Sequence, residues 1–169
     1  ETAMHERSRR DQVPYDAWVR DGWITAIPGD VIDYEWVYRQ IDEDAQRYDL
    51  REIGFDRWGA AAIYLWMANR GLTVVQIGQG YASMSAPMKE VEKLIVAGHL
   101  AHGDNPVLTW MAYNMVAMRD AAGNVKPDKK NSGEKIDGMV AMIMGVARAT
   151  VHDPDALRSV YEERDVREL

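Results

Sequence analysis

The chain has 169 residues, 47% hydrophobic and 28% charged, with no cysteine and a formal net charge of −7. That composition is globular and not disordered, and the length suits one domain that buries a core without staples. The lack of cysteine excludes a disulfide framework and any thiolate-held zinc or iron–sulfur site, and it fits a reducing compartment. No apolar run reaches the roughly 18 residues of a membrane helix. The acidic balance argues against a passive nucleic-acid coat, which carries a basic face. It leaves room for an enzyme whose carboxylates hold metal ions, because the bound metals return positive charge. The chain opens on Glu1 and not on Met, which reads as an internal start.

Residues 1–22 are polar and charged, with Arg7, Arg9 and Arg10 close together. Trp23-Ile24-Thr25-Ala26-Ile27 reads as a short strand, ended by the Pro28-Gly29 turn signal. Asp33 is placed to cap a helix over 34–48, where Val37, Tyr38, Ile41, Ala45 and Tyr48 recur at helical spacing. Leu50 to Asp56 reads as a strand ending in an acid, and Ala60 to Arg70 as a helix stopped by Gly71. Leu72 to Ile77 is a continuous, β-branched strand, expected to be buried on both faces. After the Gly78-Gln79-Gly80 loop, Ser85 is expected to cap a helix with Pro87 in its first turn, running to Ala97 and stopping at Gly98.

Asp104-Asn105-Pro106 opens a further helix to about Met115. Val116 to Arg119 and Val125 to Lys129 flank Ala121-Ala122-Gly123-Asn124 as a hairpin. Ile136, Met139, Val140, Ile143 and Ala147 mark a long amphipathic helix to about Val151, and a charged tail, a surface helix or loose, fills 153–169. The alternation of strand and helix from Leu50 to Gly98 favours parallel pairing and an α/β architecture. There is no internal repeat and no low-complexity segment.

Two acids stand out. Asp56 ends a predicted central strand, the edge where ligand sites of open α/β sheets gather; its plain alternative is a cap on the following helix. Asp137 opens the last helix within Lys135-Ile136-Asp137-Gly138, where a plain acid is also favoured by the helix dipole. No local reason pairs residues so far apart, yet a strand-end acid and a helix-start acid can meet above one sheet edge. Their oxygens suit Mg²⁺ or Mn²⁺, and two such ions activate a water and stabilise the leaving oxygen of a phosphodiester.

The charge is segregated around them. Residues 119–135 hold five cations against three acids, and residues 30–56 three arginines against nine acids. Lysines on the hairpin can hold DNA phosphates as point charges, or they are simply a solvated turn. His99 and His102 are weak candidates for a zinc site beside a surface-turn reading. No Walker loop, dinucleotide glycine motif or nucleophile elbow is present, and most Met and Trp residues fill predicted helices.

Several phrases then read together in order: Val13-Pro14-Tyr15-Asp16-Ala17-Trp18, Ile27-Pro28-Gly29-Asp30, Phe55-Asp56-Arg57-Trp58-Gly59, Gln79-Gly80-Tyr81, Asn105-Pro106-Val107-Leu108-Thr109-Trp110-Met111 with Asn114, Asp120-Ala121-Ala122-Gly123-Asn124, and Lys135-Ile136-Asp137-Gly138. Their order and spacing resemble the C-terminal nuclease domain of the large terminase subunit of tailed bacteriophages, over most of residues 10–150. The resemblance implies an RNase H-like α/β fold, a mixed central sheet flanked by helices, with an added hairpin before the last long helix. It implies a metal-dependent endonuclease that cuts concatemeric double-stranded DNA during packaging by a two-metal mechanism with Mg²⁺ or Mn²⁺. Asp56 and Asp137 match the second and third acids of the family cluster and would be the catalytic, metal-holding pair. Lys129, Lys130 and Lys135 would contact DNA.

The first acid of the cluster lies on a strand that would fall near or before Glu1, so it is expected to be missing from this chain together with one or two strands. The ATPase motor, portal and small terminase subunit are implied as partners, without a membrane, in the host bacterial cytoplasm and transiently at the procapsid portal. Two other readings stay open: a catalytically incomplete module that docks DNA or the motor, and another RNase H-like nuclease of the resolvase or transposase type.

Overall fold

A computed structural model describes residues 2–29, 31, 33–56 and 61–152. Its elements are α1 (Thr2–Asp11), α2 (Tyr15–Arg20), α3 (Tyr34–Arg47), β1 (Ile53–Phe55), α4 (Ala61–Asn69), β2 (Val74–Gln76), α5 (Tyr81–Val96), α6 (Pro106–Asn114), β3 (Ala117–Arg119), β4 (Val125–Pro127) and α7 (Asp137–His152). The class is α/β as expected. Among the described residues, however, the strands form two separate two-stranded sheets and not one mixed sheet. β1 and β2 pair in parallel, Ile53 with Val74 and Phe55 with Gln76, across the α4 crossover that parallel strands require. β3 and β4 pair antiparallel, with Met118 opposite Lys126.

The core lies where α5 meets α7. Met84, Met88 and Val91 of α5 face Val140, Ile143 and Met144 of α7, and Ile77, Val125 and Ile136 close the cluster. Met84, Met88 and Val91 are spaced four and three residues apart, and Ile143 and Met144 follow Val140 by three and four, one apolar stripe per helix. α7 also packs against α6 and β1, so it joins the hairpin side of the molecule to the parallel pair. Arg148 adds a polar tie to the β1 side: its Nε donates to Glu52 Oε2 at 2.6 Å.

Local chemistry sets the ends of these elements. The Asp33 carboxylate accepts from the Glu35 N–H at 3.0 Å and caps α3 as expected. Asn105 accepts from Val107 and Leu108 N–H, each at 3.0 Å, with Pro106 at the first helical position. Gly71 takes φ +74°, and the Leu72 N–H reaches back to the Met67 carbonyl at 3.2 Å, the closure that a C′ glycine permits.

Three expectations need correction. Residues 23–27 form no strand, because the Trp23 and Ile24 N–H groups are spent on the Trp18 carbonyl at the end of α2. The polar N-terminal stretch, for which no element was expected, holds α1 and α2, moored to α6 by Trp18, which is buried against the rings of Tyr15 and Trp110. The strand at 72–77 is only half-buried at Val74 and Val75, since β2 pairs with β1 on one side alone among the described residues. Finally, α5 begins four residues before Ser85, at Tyr81, with extended Gly80 as its N-cap. The apolar stripe already starts at Met84, so the first turn forms ahead of the serine. Ser85 is buried, and its Oγ accepts from the Val125 N–H at 3.1 Å, tying α5 to β4. Pro87 lies buried inside the helix and has no N–H to give the preceding turn. The expectation for the 153–169 tail lies outside the described residues.

Candidate functional site

Asp56 directly follows β1 and is half-buried at the carboxyl end of the parallel pair, as expected. The neighbouring strand end is fixed by the Ile77 N–H, which donates to the Phe55 carbonyl at 2.9 Å. The Gly78-Gln79-Gly80 loop then turns into α5. Asp56 and Gln79 form one wall of a cavity of about 360 Å³ whose other wall is the hairpin, through Met118, Lys126, Asp128, Lys129 and Lys130.

Asp137 is the first residue of α7. Ile136, 2% exposed, anchors the backbone behind it while its own carboxylate points to solvent. Lys129 Nζ donates to Asp137 Oδ1 at 2.7 Å. Both side chains are about two-thirds exposed, so the pair contributes little to stability and constrains where the charges sit. Asp137, Lys129 and Lys135 line a second cavity of about 300 Å³. Asp56 therefore lines one cavity, Asp137 the other, and Lys129 both. Lys130 belongs to the Asp56 cavity and Lys135 to the Asp137 cavity.

Asp128 organises the lysines, and sequence reasoning counted it only as one acid in a basic stretch. It is 6% exposed. One carboxylate oxygen accepts from the Lys130 and Asn131 N–H groups, and the other accepts from Asn131 Nδ2 at 2.6 Å. Its own N–H donates to the Val116 carbonyl at 2.8 Å. The loop is thus pinned to the base of β3, and Lys129 and Lys130 project from a fixed turn. The Asn131 hydrogen bond holds the Asp128 carboxyl below the usual carboxylate range, with burial opposing. The signal in the sequence was an aspartate three residues before an asparagine, an Asx turn around two lysines.

His99 and His102 are both exposed, and among the described residues no three His, Asp or Glu side chains stand together as a metal-holding group. The oxygen donors of Asp56 and of Asp137, in their separate cavities, are each of the type a hard divalent ion takes. Mg²⁺ is commonly held by one or two carboxylates, with water and phosphate filling its other positions. A second ion would need donors beyond these two. Among the described residues no helix is long and apolar enough to cross a membrane.

The family model for the terminase large subunit, endonuclease domain, matches residues 1–153. This chain belongs to that family. It is 41% identical over 153 residues to the terminase large subunit of Enterobacteria phage HK97, covering 86% of this chain and 29% of that protein. It is 34% identical over 165 residues to protein YmfN of Escherichia coli (strain K12), covering 95% of this chain and 36% of that protein. Among solved structures, the crystal structure of the HK97 bacteriophage large terminase superposes with a TM-score of 0.79 at 39% identity, over 88% of this chain and 31% of that one. The terminase nuclease-domain chain thus spans about a third of the length of these relatives.

Proposed function

We propose that this terminase nuclease domain is a metal-dependent endonuclease with an RNase H-like core, hydrolysing phosphodiesters of concatemeric double-stranded DNA during genome packaging. The observation that carries the reading is the hairpin. Its Lys129 lines both the Asp56 and the Asp137 cavities, so the two acids flank one cationic element. Acids facing lysines are what a phosphodiester site needs: oxygens for divalent metal and cations for the neighbouring phosphates.

In this reading Asp56 and Asp137 hold Mg²⁺ or Mn²⁺ as the catalytic pair. When bound, the ions supply positive charge to the attacking water and to the leaving oxygen. The two-metal form of the reaction requires a further acid, which the family resemblance assigns to an upstream strand. Lys129, Lys130 and Lys135 steer and hold the sugar–phosphate backbone. Nothing among these contacts reads a base edge, so cutting is independent of sequence. The partners of the longer protein are the ATPase motor, the portal and the small terminase subunit, in the host cytoplasm.

The test is plasmid nicking in Mn²⁺ by this chain, and by a longer chain carrying the upstream strand, each compared with its Asp137→Ala variant. An active preparation loses nicking on that substitution. Full activity in Asp137→Ala overturns the site assignment.

A further inference from the structure

Lys126 differs from the other hairpin lysines in its setting. Its ammonium lies 5.1 Å from the centroid of the Tyr81 ring, inside the roughly 6 Å reach of cation–π attraction. Lys126 is half-buried where Lys129 and Lys130 are exposed, and it lines the cavity that holds Asp56 and Gln79. Its backbone is fixed by pairing with Met118 in the hairpin.

Charge accounting separates it further. Lys129 is engaged by Asp137 at 2.7 Å. Asp128, two residues after Lys126, spends its oxygens on the Lys130 and Asn131 N–H groups and on Asn131 Nδ2. Among the described residues no carboxylate lies within 4.0 Å of the Lys126 ammonium. Lys126 feels the Asp128 carboxylate at a distance but forms no direct ion pair with it, so its ammonium donors remain available to a phosphate. It also loses less freedom on binding than a lysine that must first be ordered.

We propose that Lys126, positioned by the Tyr81 ring, is a cation of the Asp56 cavity that holds a backbone phosphate of DNA. The inference rests on the endonuclease reading and deepens it by naming the residue that grips the strand; Tyr81 is a positioning residue.

The experiment is duplex-oligonucleotide binding by fluorescence anisotropy across a salt series without divalent metal, on wild type, Lys126→Gln, Lys126→Arg, Lys129→Gln, Tyr81→Phe and Tyr81→Leu. Each phosphate contact contributes about 0.9 to the slope of log affinity against log salt. Lys126→Gln is expected to lower that slope by about one contact, and Lys126→Arg to keep it. Tyr81→Phe keeps the ring and the slope. Tyr81→Leu removes no charge yet lowers the slope, which a merely structural role would not do, since a smaller folded fraction scales the apparent affinity by a constant factor and leaves the slope. A wild-type slope in Lys126→Gln, with the loss appearing instead in Lys129→Gln, overturns the inference and leaves the endonuclease reading standing. No salt-dependent binding by the wild type overturns the inference, while the endonuclease reading falls only if Mn²⁺-dependent nicking is absent as well.

Discussion

Gly138, the second residue of α7, stands next to Asp137, so crowding there reaches the site through one peptide bond. A Cβ added at Gly138 would meet Met111 Sδ at 2.8 Å and Leu108 Cδ1 at 3.4 Å. The Gly138 N–H already faces the Met111 sulfur at 3.1 Å. Two effects oppose in Gly138→Ala. Alanine gains at most about 0.8–1 kcal/mol of helix propensity over glycine. Intrusion on packed atoms costs about 1–3 kcal/mol, toward the lower end here because a thioether bends aside more readily than a branched chain. The balance is a destabilisation of about 0.5–1 kcal/mol in the otherwise wild-type chain. In a Met111→Ala background the obstruction is gone, and the same substitution turns neutral or stabilising by up to about 1 kcal/mol. The coupling between the two positions is then about 0.5–2 kcal/mol, within the range for residues in contact. Urea denaturation of the four proteins, read at constant m-value, measures it. A higher midpoint for Gly138→Ala in the wild-type background would mean that Met111 offers no resistance, and the reasoning would fail.

Three further outcomes follow from the same structure. Ile143 is 0% exposed at the centre of the α5–α7 core, so Ile143→Ala costs about 2–5 kcal/mol, seen as a fall in urea midpoint without a change in slope; a loss below 1 kcal/mol would show that the site collapses onto the gap. The Arg148 hydrogen bond, helped by His152, holds the Glu52 carboxyl below its ordinary value of 4.5, with burial opposing. That contribution to stability is full above the ordinary value and is lost as pH falls through the lowered one, so Glu52→Gln should flatten the acid limb of the stability–pH curve below pH 4.5; an unchanged limb would mean that the clamp does not persist in solution. Asp128→Ala removes the Asx turn and should weaken duplex binding while Asp128→Asn, which keeps the turn acceptor, retains most of it; equal losses in both variants would mean that the turn needs both carboxylate oxygens, because losing a negative charge by itself favours DNA.

Much of this arrangement was legible in the chain because it depends on local chemistry. Asp33 and Asn105 are side-chain caps whose partners lie two or three residues away, and Gly71 and Gly98 end helices by their own backbone freedom. The hairpin and the Asp137 helix start were likewise written in nearby residues. What was hidden depends on distant partners. Trp23 to Ile27 has strand composition, but its first amides are claimed by the end of α2. The polar stretch that holds α1 and α2 shows no core-facing pattern until Trp18 finds Trp110, some ninety residues on, to cover it. Ser85 has the chemistry of a cap and is used instead as a buried acceptor for a strand forty residues away. At the site, the two acids were visible singly, while the Lys129 pairing with Asp137 and the Lys126 seat over Tyr81 needed the folded hairpin.

The most direct measurement is the anomalous scattering of crystals of the chain soaked in Mn²⁺. The account predicts manganese density on the Asp56 and Asp137 carboxylates, with Lys129 displaced from Asp137 Oδ1. Density on neither carboxylate, with Asp56 and Asp137 directed to separate surfaces, would contradict the catalytic assignment.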